Sequence, residues 1–545
     1  MMLISLSVAT PQLAPQEPAR DLRRAARSAA FRYESLLRRR APFTHGAGRG
    51  VDCDEIIGRF CFTFGDDGMP DPPPEPEHPD IDEARRVAVR AHRRWLSADP
   101  ADSEAAGALI RYLISGGRAD EAVSLARTHV WAADRSPPSL LLLGLALHHA
   151  GAFEGAELAF DSARSAVGAE ERERWDDIRV LLEPRERSRY GRLTAEQRRA
   201  YHRRFWALSD PSLLEPGNER RSAHYARHAW IQILSRAPSA QGMLHWGRDH
   251  EEILLRYGLP TSRERIRQPA WRLHTELRMV ETFDPHAVTF MPFGPDGGVP
   301  ETPPPGVRPA LERDTVRASY APIRHHRTRG LELQVARFPA LRGSLLRVSG
   351  VLRPDTVDPA VPASPRGLVA VLDTLGNEVV RAEARVRVRP DSFTAVSGDV
   401  AVPPGAYVYR LELTDDSTGL AGLAQHRLTI EAVAGLTLAD LAVAHPAADP
   451  ESAEGRPPLA PTLVLAPGQV VLVYTEVSGL HRTGARSRYA VEWWLEPLDR
   501  GSLLGRAARW LGRTLGVVAE AEPVRVRWED GSEQGDPVPI AFTLD

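Results

Sequence analysis

The acidic residues that follow Trp246 are the first candidates for chemistry in this chain. Asp249, Glu251 and Glu252 lie within four positions of one another. Carboxylates held close together can act as general acid and general base, which is the chemistry of many hydrolases. An aspartate before an apolar run also caps a turn, because its side chain accepts hydrogen bonds from nearby backbone N–H groups. We expect Asp249 to take this second role, ahead of a strand that begins at Ile253, and the sequence predicts no catalytic residue.

Two histidine pairs are the candidates for metal binding. His224 and His228 are four residues apart on a predicted helix, which places both imidazoles on one face. Zinc metalloproteases with this spacing carry a glutamate directly after the first histidine, where this chain has Tyr225. The second pair, His325-His326, stands between two arginines that would repel a cation. We therefore expect core or surface histidines at the first pair, a solvated loop at the second, and neither a metal nor a cofactor.

Lysine is absent from the 545 residues, so that all 69 basic residues are arginine. A Walker A phosphate loop, a Schiff-base lysine and a Ser-Lys dyad are thereby excluded, because each depends on a lysine amine. The net charge of −3 and the short arginine clusters predict no nucleic-acid partner, since nucleic-acid binding needs an extended basic surface. No apolar run approaches the ~18 residues of a membrane span, which predicts that the chain is not an integral membrane protein.

Two cysteines, Cys53 and Cys61, bear on the compartment of the protein. Two thiols alone do not provide the four ligands of a structural zinc site. They predict a disulfide if the chain is exported and buried free thiols if it is cytoplasmic. The run from Met1 to Ala14 combines apolar and small residues without a positive start, which is typical of the end of a signal peptide. We expect a periplasmic, outer-membrane-associated or extracellular protein, with a cytoplasmic location as the alternative.

Residues 80–182 contain an internal repeat whose offset matches the tetratricopeptide period of about 34 residues. Ala122 and Ala156 occupy equivalent positions, and Gly144, Phe160 and Ala163 sit where that repeat places small and large packing residues. The sequence predicts two helical hairpins and a half, too few to stand without support from neighbouring elements. Such hairpins present a concave surface to a protein or peptide partner; the alternative is that they act as a spacer.

Sequence signals for helix starts and ends precede residues 245–260, which we call the Trp246 segment. Thr194 and Gln197 form a capping box, Asp210-Pro211 ends the helix that follows, and Asn218 is placed to cap the next helix. The segment itself then supplies five residues with a recognisable order: Trp246, Asp249, Tyr257, Gly258 and Pro260.

This order, from Leu193 to Pro260, resembles the GWxTD domain of bacterial proteins. The first glycine and the threonine of that motif are replaced by His245 and Arg248, and its Arg-Gly after the aspartate is replaced by His250-Glu251. The resemblance implies a protein that is often exported, carries β-rich C-terminal regions and lacks an established biochemical activity.

Beyond Gly330, apolar and polar residues alternate with the period of half-buried strands. About seven short strands in 331–433, with a hairpin turn at Leu375–Glu378, predict an immunoglobulin-like β-sandwich. A second β-rich domain occupies 434–545, and its strand-like last run predicts a truncated end. The remaining predicted regions are a signal remnant in 1–14, a helix with the cysteine pair and a proline-rich linker in 15–79, the helical repeats in 80–182 and the GWxTD-like domain in 183–330.

The sequence therefore predicts a multidomain α+β protein with tetratricopeptide-like hairpins, a mixed middle domain and an immunoglobulin-like C-terminal region. We expect a non-enzymatic, exported scaffold that binds a partner through its helical repeats and β-sandwich modules. The alternative is a hydrolase or carbohydrate-active enzyme with its site in residues 190–330. An enzyme would show buried polar groups that converge on a pocket near Trp246 and Asp249, whereas a structural segment would pack Trp246 into a core.

Overall fold

A computed structural model of the chain describes the following residues: 19–44, 55–62, 77–182, 184–237, 245–268, 276–283, 288–289, 319–320, 322–340, 342–353, 361–389, 393–433, 435–444, 456–461, 463, 465, 468–483, 486–495, 524–532 and 537–544. The chain forms two compact units. The first unit consists of Met1–Glu332, Val351–Val396 and Tyr407–Leu428, and the second of Leu333–Gly350, Ser397–Ala406 and Thr429–Asp545.

The N-terminal region is helical and the C-terminal region is rich in sheet, as the sequence predicts. Among the described residues, no helix combines the length and the apolar character that crossing a membrane requires. The helices are α1 Ala19–Arg40, α2 Pro79–Ala98, α3 Ser103–Ser115, α4 Ala119–Ala132, α5 Pro137–His149, α6 Phe153–Ala166, α7 Ala169–Trp175, α8 Pro184–Tyr190, α9 Ala195–Ser209, α10 Glu219–Ser235 and α11 Arg248–Tyr257, with a 3-10 helix at Arg179–Leu181.

One constant sequence offset relates the helices α3 and α4 to α5 and α6. Helices α3 and α5 begin at Ser103 and Pro137, and α4 and α6 begin at Ala119 and Phe153. The glycines that turn the two hairpins, Gly117 and Gly151, have φ angles of 71° and 73°. The sequence offset between Ala122 and Ala156 therefore corresponds to two helical hairpins that turn at equivalent glycines.

The predicted packing residues of these hairpins lie in the core. Ala122, Ala156, Phe160 and Ala163 are all fully buried. A Cβ atom at Gly144 would lie 2.4 Å from Cε1 of Phe160. Helices α5 and α6 can therefore approach this closely because residue 144 has no side chain.

Helix α10 covers the apolar face that the hairpins would otherwise expose. It packs against α3, α5 and α6, and a Cβ atom at Gly107 of α3 would lie 3.2 Å from the Ile233 side chain of α10. Ala229, Trp230 and Leu234 join one apolar cluster with the hairpins and with α1 and α2. The hairpins thus bury their surface against a helix from the predicted middle domain, as a short repeat array requires.

The helix caps predicted for the middle region are present. The Thr194 hydroxyl accepts a hydrogen bond from the backbone N–H of Gln197, and the Gln197 side chain accepts one from the backbone N–H of Thr194. The Asn218 side chain caps α10 by accepting from the backbone N–H of Arg221. These bonds satisfy N–H groups that the first turn of a helix leaves without partners.

Short strands accompany the helices of the first unit. They form a sheet of order β1-β4-β5, in which β1 and β4 are parallel, and the antiparallel pairs β2-β3 and β6-β7. Their bounds are β1 Phe43–Thr44, β2 Glu55–Ile57, β3 Phe60–Phe62, β4 Ser262–Gln268, β5 Glu276–Thr282, β6 Val288–Thr289 and β7 Ser319–Tyr320.

The first unit also contains strands in the order β8-β15-β14-β11-β12. Strand β11 is antiparallel to β12 and β14 and buries both faces, from Leu368 to Leu372. The predicted turn at Leu375–Glu378 joins β11 and β12, where the Asp373 carboxylate accepts from the backbone N–H groups of Leu375 and Asn377. These strands are β8 Arg327–Gly330, β11 Arg366–Asp373, β12 Glu378–Arg389, β14 Gly405–Asp415 and β15 Leu420–Ile430.

The second unit is built from strands. Strands β9 and β10 pair with each other, β16, β17 and β22 pair with β18, and β20 lies between β19 and β21. A buried ion pair joins Arg456 to Glu476, which also accepts a hydrogen bond from the Tyr474 hydroxyl. The bounds are β9 Glu332–Ala340, β10 Gly343–Leu352, β13 Phe393–Val402, β16 Thr437–Leu438, β17 Ala442–Ala444, β18 Val471–Ser478, β19 Arg482–Thr483, β20 Arg486–Leu495, β21 Val524–Ser532 and β22 Val538–Leu544.

Candidate functional site

The Trp246 segment, residues 245–260, contains the whole of helix α11, which begins two residues after Trp246. Ile253 lies within this helix, so the predicted strand is wrong. The buried residues His250, Ile253 and Leu254 have the spacing of one helical face, and this period prevails over the short apolar run that suggested a strand. Gly258, with a φ of 81°, ends the helix two residues before Pro260.

Asp249 makes two kinds of contact: a local turn contact and an ion pair with a hairpin that is distant in sequence. Arg59, at the tip of the β2-β3 hairpin, donates from Nε and Nη2 to the two carboxylate oxygens at 2.5 and 2.8 Å. The backbone N–H of His250 donates to Oδ1 at 3.0 Å, which is the local turn contact that the sequence predicts. The guanidinium of Arg59 holds the pKa of Asp249 well below its usual range, and backbone N–H donors act in the same direction.

Gly58 permits this approach between hairpin and helix. Its φ is 54°, and an added Cβ atom would lie 2.6 Å from Cβ of Asp249. Any other residue would meet both backbone strain and a clash at this position. The hairpin tip is therefore shaped to receive Asp249.

Tyr257 and Arg256 hold the other end of the hairpin. The Tyr257 hydroxyl and the Arg256 guanidinium donate to the two oxygens of Glu55 at 2.7 and 2.6 Å. The ring of Phe62 stacks on Tyr257 with centroids 5.0 Å apart. Burial and the hydrogen bond to Glu55 raise the pKa of the Tyr257 phenol above its usual range.

Trp246 and the end of α11 line a small open cleft beside the hairpin. Trp246 packs against the apolar cluster of the helices and stacks on His250, with ring centroids 5.2 Å apart. Both rings line this cleft with Gly258 and Pro260, and the rest of its lining is apolar except for Glu281. The five motif residues thus divide by role: Asp249 and Tyr257 bind the hairpin, while Trp246, Gly258 and Pro260 line what we call the tryptophan cleft.

The hairpin is the part of the site that sequence reasoning missed. Its signal was present, because Ile57, Phe60 and Phe62 flank the turn at Gly58-Arg59 as in a tight hairpin. Cys61 lies in strand β3 and is disulfide-bonded; Cys53 lies outside the described residues.

The paired carboxylates predicted as a candidate acid and base do not act together, since Asp249 is ionised and engaged by Arg59.

His224 and His228 are core histidines. Both are buried, their rings meet edge to face at 5.0 Å, and Nε2 of His224 lies 2.8 Å from the carbonyl oxygen of Trp175. Burial is the main cause that lowers the pKa of each imidazole.

The prediction of a solvated loop is confirmed for His326, which is exposed and lies outside helix and strand, and is wrong for His325, which is buried with its Nε2 3.0 Å from Oδ1 of Asp416. Metal-ligating atoms of His325, Asp416 and Glu215 lie within 4.8 Å of one another. Glu215, however, already pairs with the guanidinium groups of Arg324 and Arg366. Two guanidinium groups at this cluster oppose a metal cation, so we assign no metal to it.

A larger cleft lies on the helical hairpins. This repeat cleft, of about 590 Å³ including its open mouth, is lined by side chains of α1, α2, α3 and α5 and by the end of α10. Three arginines and one glutamate line it, together with apolar residues such as Leu142 and Ile233. The charged residues are Arg27, Arg111, Arg236 and Glu104.

The charges of the repeat cleft differ in how far they are neutralised. Arg27 donates to Glu104 at 2.7 and 2.9 Å, and Arg111 pairs with the buried Glu34. Arg236 is exposed at the mouth and makes no ion pair with the residues that the structure describes. The cleft therefore combines an apolar floor with a net positive rim.

No family model and no curated protein matches this chain.

Proposed function

We propose that this protein is an exported, non-enzymatic scaffold with a GWxTD-like domain, whose tetratricopeptide-like hairpins bind a protein or peptide partner. The observation that carries the proposal is the repeat cleft, which the first helix of each hairpin, α3 and α5, lines together with α1, α2 and the end of α10. A positive rim over an apolar floor suits a peptide segment that is both acidic and apolar, because each part finds a complementary surface.

Three further observations support parts of the proposal. The alignment of helix ends and of glycine turns at one constant offset supports the tetratricopeptide-like assignment. The antiparallel strands β11, β12 and β14, with β11 buried on both faces, support the β-rich part of the sandwich prediction. The disulfide-bonded Cys61 supports export, since disulfides persist in oxidising compartments.

Charge reversal at the mouth of the cleft tests the proposal. Deletion of the hairpins would expose the apolar face of α10, so point substitutions in the full chain are the sharper test. Arg236→Glu removes the rim cation, and Arg127→Glu, on an exposed position of α4, makes the same charge change elsewhere.

Binding should be measured by fluorescence polarisation with labelled peptides that carry acidic and apolar residues, and with versions in which arginine replaces the acidic residues. We expect the acidic peptides alone to bind, Arg236→Glu to weaken them by about 5-fold or more, and Arg127→Glu to leave them unchanged. Equal binding of the basic peptides, or equal losses in the two variants, would contradict the proposal.

A further inference from the structure

Three leucines at one edge of a sheet in the second unit point into solvent. Leu436, Leu438 and Leu441, which we call the leucine edge, are 70%, 67% and 59% exposed. The small residues between them point the other way, since Ala439 and Ala442 are buried in an apolar cluster. A segment that served only to cover a core would bury its leucines and expose its alanines, because burial of the larger side chain stabilises more. The inverted arrangement indicates that the leucines contact something outside the unit.

The backbone of the leucine edge carries unpaired hydrogen-bonding groups on its outer side. Thr437 forms a ladder pair with strand β18, and the backbone N–H of Ala439 donates to the carbonyl oxygen of Glu476 at 2.8 Å. Because backbone groups alternate in direction along a strand, the N–H and C=O of Leu438 and the C=O of Leu436 point away from β18. Among the described residues, no backbone group pairs with these three. The edge is therefore open to a further strand.

The leucine edge also lacks the features that protect natural edge strands. Such strands often carry charged residues or proline, which prevent association with other chains. Residues 435–439 contain neither. The charged side chain that follows, Asp440, is neutralised by Arg337, whose Nε lies 2.7 Å from a carboxylate oxygen. The edge therefore suits an uncharged, extended segment with apolar residues at alternate positions.

We propose that the leucine edge pairs with the same edge of a second copy of this chain. Residues 435–439 are themselves an uncharged segment with leucines at alternate positions, so the edge is complementary to itself. Two identical edges meet around a two-fold axis as antiparallel strands. Leu436 of each copy lies opposite Leu438 of the other and accepts from its backbone N–H, and Thr437 lies opposite Thr437. The pairing is independent of the repeat cleft and of its partner.

The concentration dependence of the mass tests this dimer. Interfaces below about 1,200 Å² belong to weak complexes, so we expect a dissociation constant of about 10–100 µM. Sedimentation velocity of the full chain from about 1 to 300 µM spans this transition. A chain that stays monomeric at every concentration would overturn the proposal.

One substitution in the leucine edge and one elsewhere separate this contact from general apolar association. Leu158 of α6 is as exposed as Leu438, at 67%. Leu438→Asp should raise the dissociation constant by about 10-fold or more, because two carboxylates would face the interface. Leu158→Asp should leave it unchanged, and near-ultraviolet circular dichroism should show both variants folded. Equal effects of the two substitutions would contradict the assignment of the leucine edge.

A new cysteine at Thr437 tests whether the two edges pair as strands. Opposite residues at this kind of ladder position have Cα atoms about 4.5 Å apart, which a disulfide can bridge. Mild oxidation of Thr437→Cys should give a covalent dimer at least about 10-fold faster than Leu158→Cys, followed on a non-reducing gel. Equal rates for the two cysteines would rule out the paired edges.

Discussion

At the scale of single residues, the Asp249 carboxylate stabilises the contact between helix α11 and the β2-β3 hairpin. Its oxygens accept from the Arg59 guanidinium and from backbone N–H groups. Each of these donors favours the ionised carboxylate, which explains the direction of its pKa shift. A general acid must instead release and regain a proton near the working pH, so this environment opposes that role.

Asp249→Asn should destabilise the first unit, because the amide loses the charge-assisted bonds to Arg59. We expect the free energy of unfolding to fall by about 1–2 kcal/mol near pH 7, measured by chemical denaturation. Glu251→Gln, in the same first turn of α11, is the matched control and should change it by less than about 0.5 kcal/mol.

The lowered pKa of Asp249 determines how the difference in unfolding free energy between the unsubstituted chain and Asp249→Asn depends on pH. A carboxyl group whose folded-state pKa is depressed contributes stability above its unfolded pKa of about 4 and loses that contribution as the pH falls further. The gap between the unsubstituted chain and Asp249→Asn should therefore be constant from pH 5 to 7 and shrink below about pH 4. A gap that is as large at pH 2 as at pH 7 would show that Asp249 acts through its shape rather than its charge.

At the scale of elements, the contact between α5 and α6 depends on the absence of a side chain at position 144. Gly144→Ala would place a methyl group 2.4 Å from the ring of Phe160. Relief of this clash should cost about 1–3 kcal/mol of unfolding free energy, despite the higher helix propensity of alanine. Thermal and urea unfolding of the full chain provide the measurement.

Gly155→Ala is the matched control for this prediction. Gly155 lies in the first turn of α6, and a Cβ atom there would be 3.6 Å from the Leu147 side chain, an ordinary contact. We expect this substitution to be neutral or to stabilise by up to about 1 kcal/mol. Similar destabilisation by both alanines would mean that loss of glycine as such, rather than the contact with Phe160, is responsible.

The elements that sequence reasoning predicts are those with a strong local signal. The hairpins repeat at a constant sequence offset, so Ala122 and Ala156 mark equivalent positions in two hairpins. Thr194 and Gln197 form a capping box within one helical turn. The strand expected at Ile253 failed because three consecutive apolar residues fit a helix and a strand equally well. The burial of His250 and Leu254 on one side of α11 decided between them.

The candidate site was predictable only in part. Its five motif residues lie within one segment, but Arg59 stands 190 positions from Asp249 and Glu55 stands 202 positions from Tyr257. No local pattern specifies such a contact, because it depends on how the hairpin packs after the chain has folded. The buried ring nitrogens Nε1 of Trp246 and Nε2 of His250, which have no hydrogen-bond partner among the described residues, are likewise a property of packing that neither residue type indicates.

At the scale of the whole molecule, the helices of the first unit enclose six imidazoles, four of them buried and two, His149 and His202, half-buried. Burial is the main cause that lowers the pKa of six histidines there, two of them to about 4: His92, His148, His149, His202, His224 and His228. Glu219 of α10 and Asp210 are the opposite case, since burial raises the pKa of Glu219 to about 7 and raises the pKa of Asp210 well above its usual range. The histidines favour the fold at neutral pH, whereas Glu219 favours it at acidic pH.

We expect the six histidines to contribute more to the pH dependence of stability than the buried carboxyl groups do. The first unit should therefore lose stability on acidification. A histidine whose folded-state pKa is depressed contributes stability above about pH 6.5 and loses it as the pH falls through this value toward the folded-state pKa. At pH 5 the loss is about 2 kcal/mol for the buried His228. We expect the thermal midpoint to fall by about 5 °C or more between pH 7.5 and pH 5.

His149→Gln tests whether the imidazoles cause this loss. Nε2 of His149 accepts a hydrogen bond from the indole N–H of Trp230, and a glutamine carbonyl can accept the same bond without titrating. The variant should therefore lose less stability between pH 7.5 and pH 5 than the unsubstituted chain, whereas His481→Gln, at an exposed position, should lose as much. If acid destabilises all three proteins equally, the cause lies in other titrating groups. If acid stabilises the unsubstituted chain, the buried carboxyl groups of Glu219 and Asp210 outweigh the histidines.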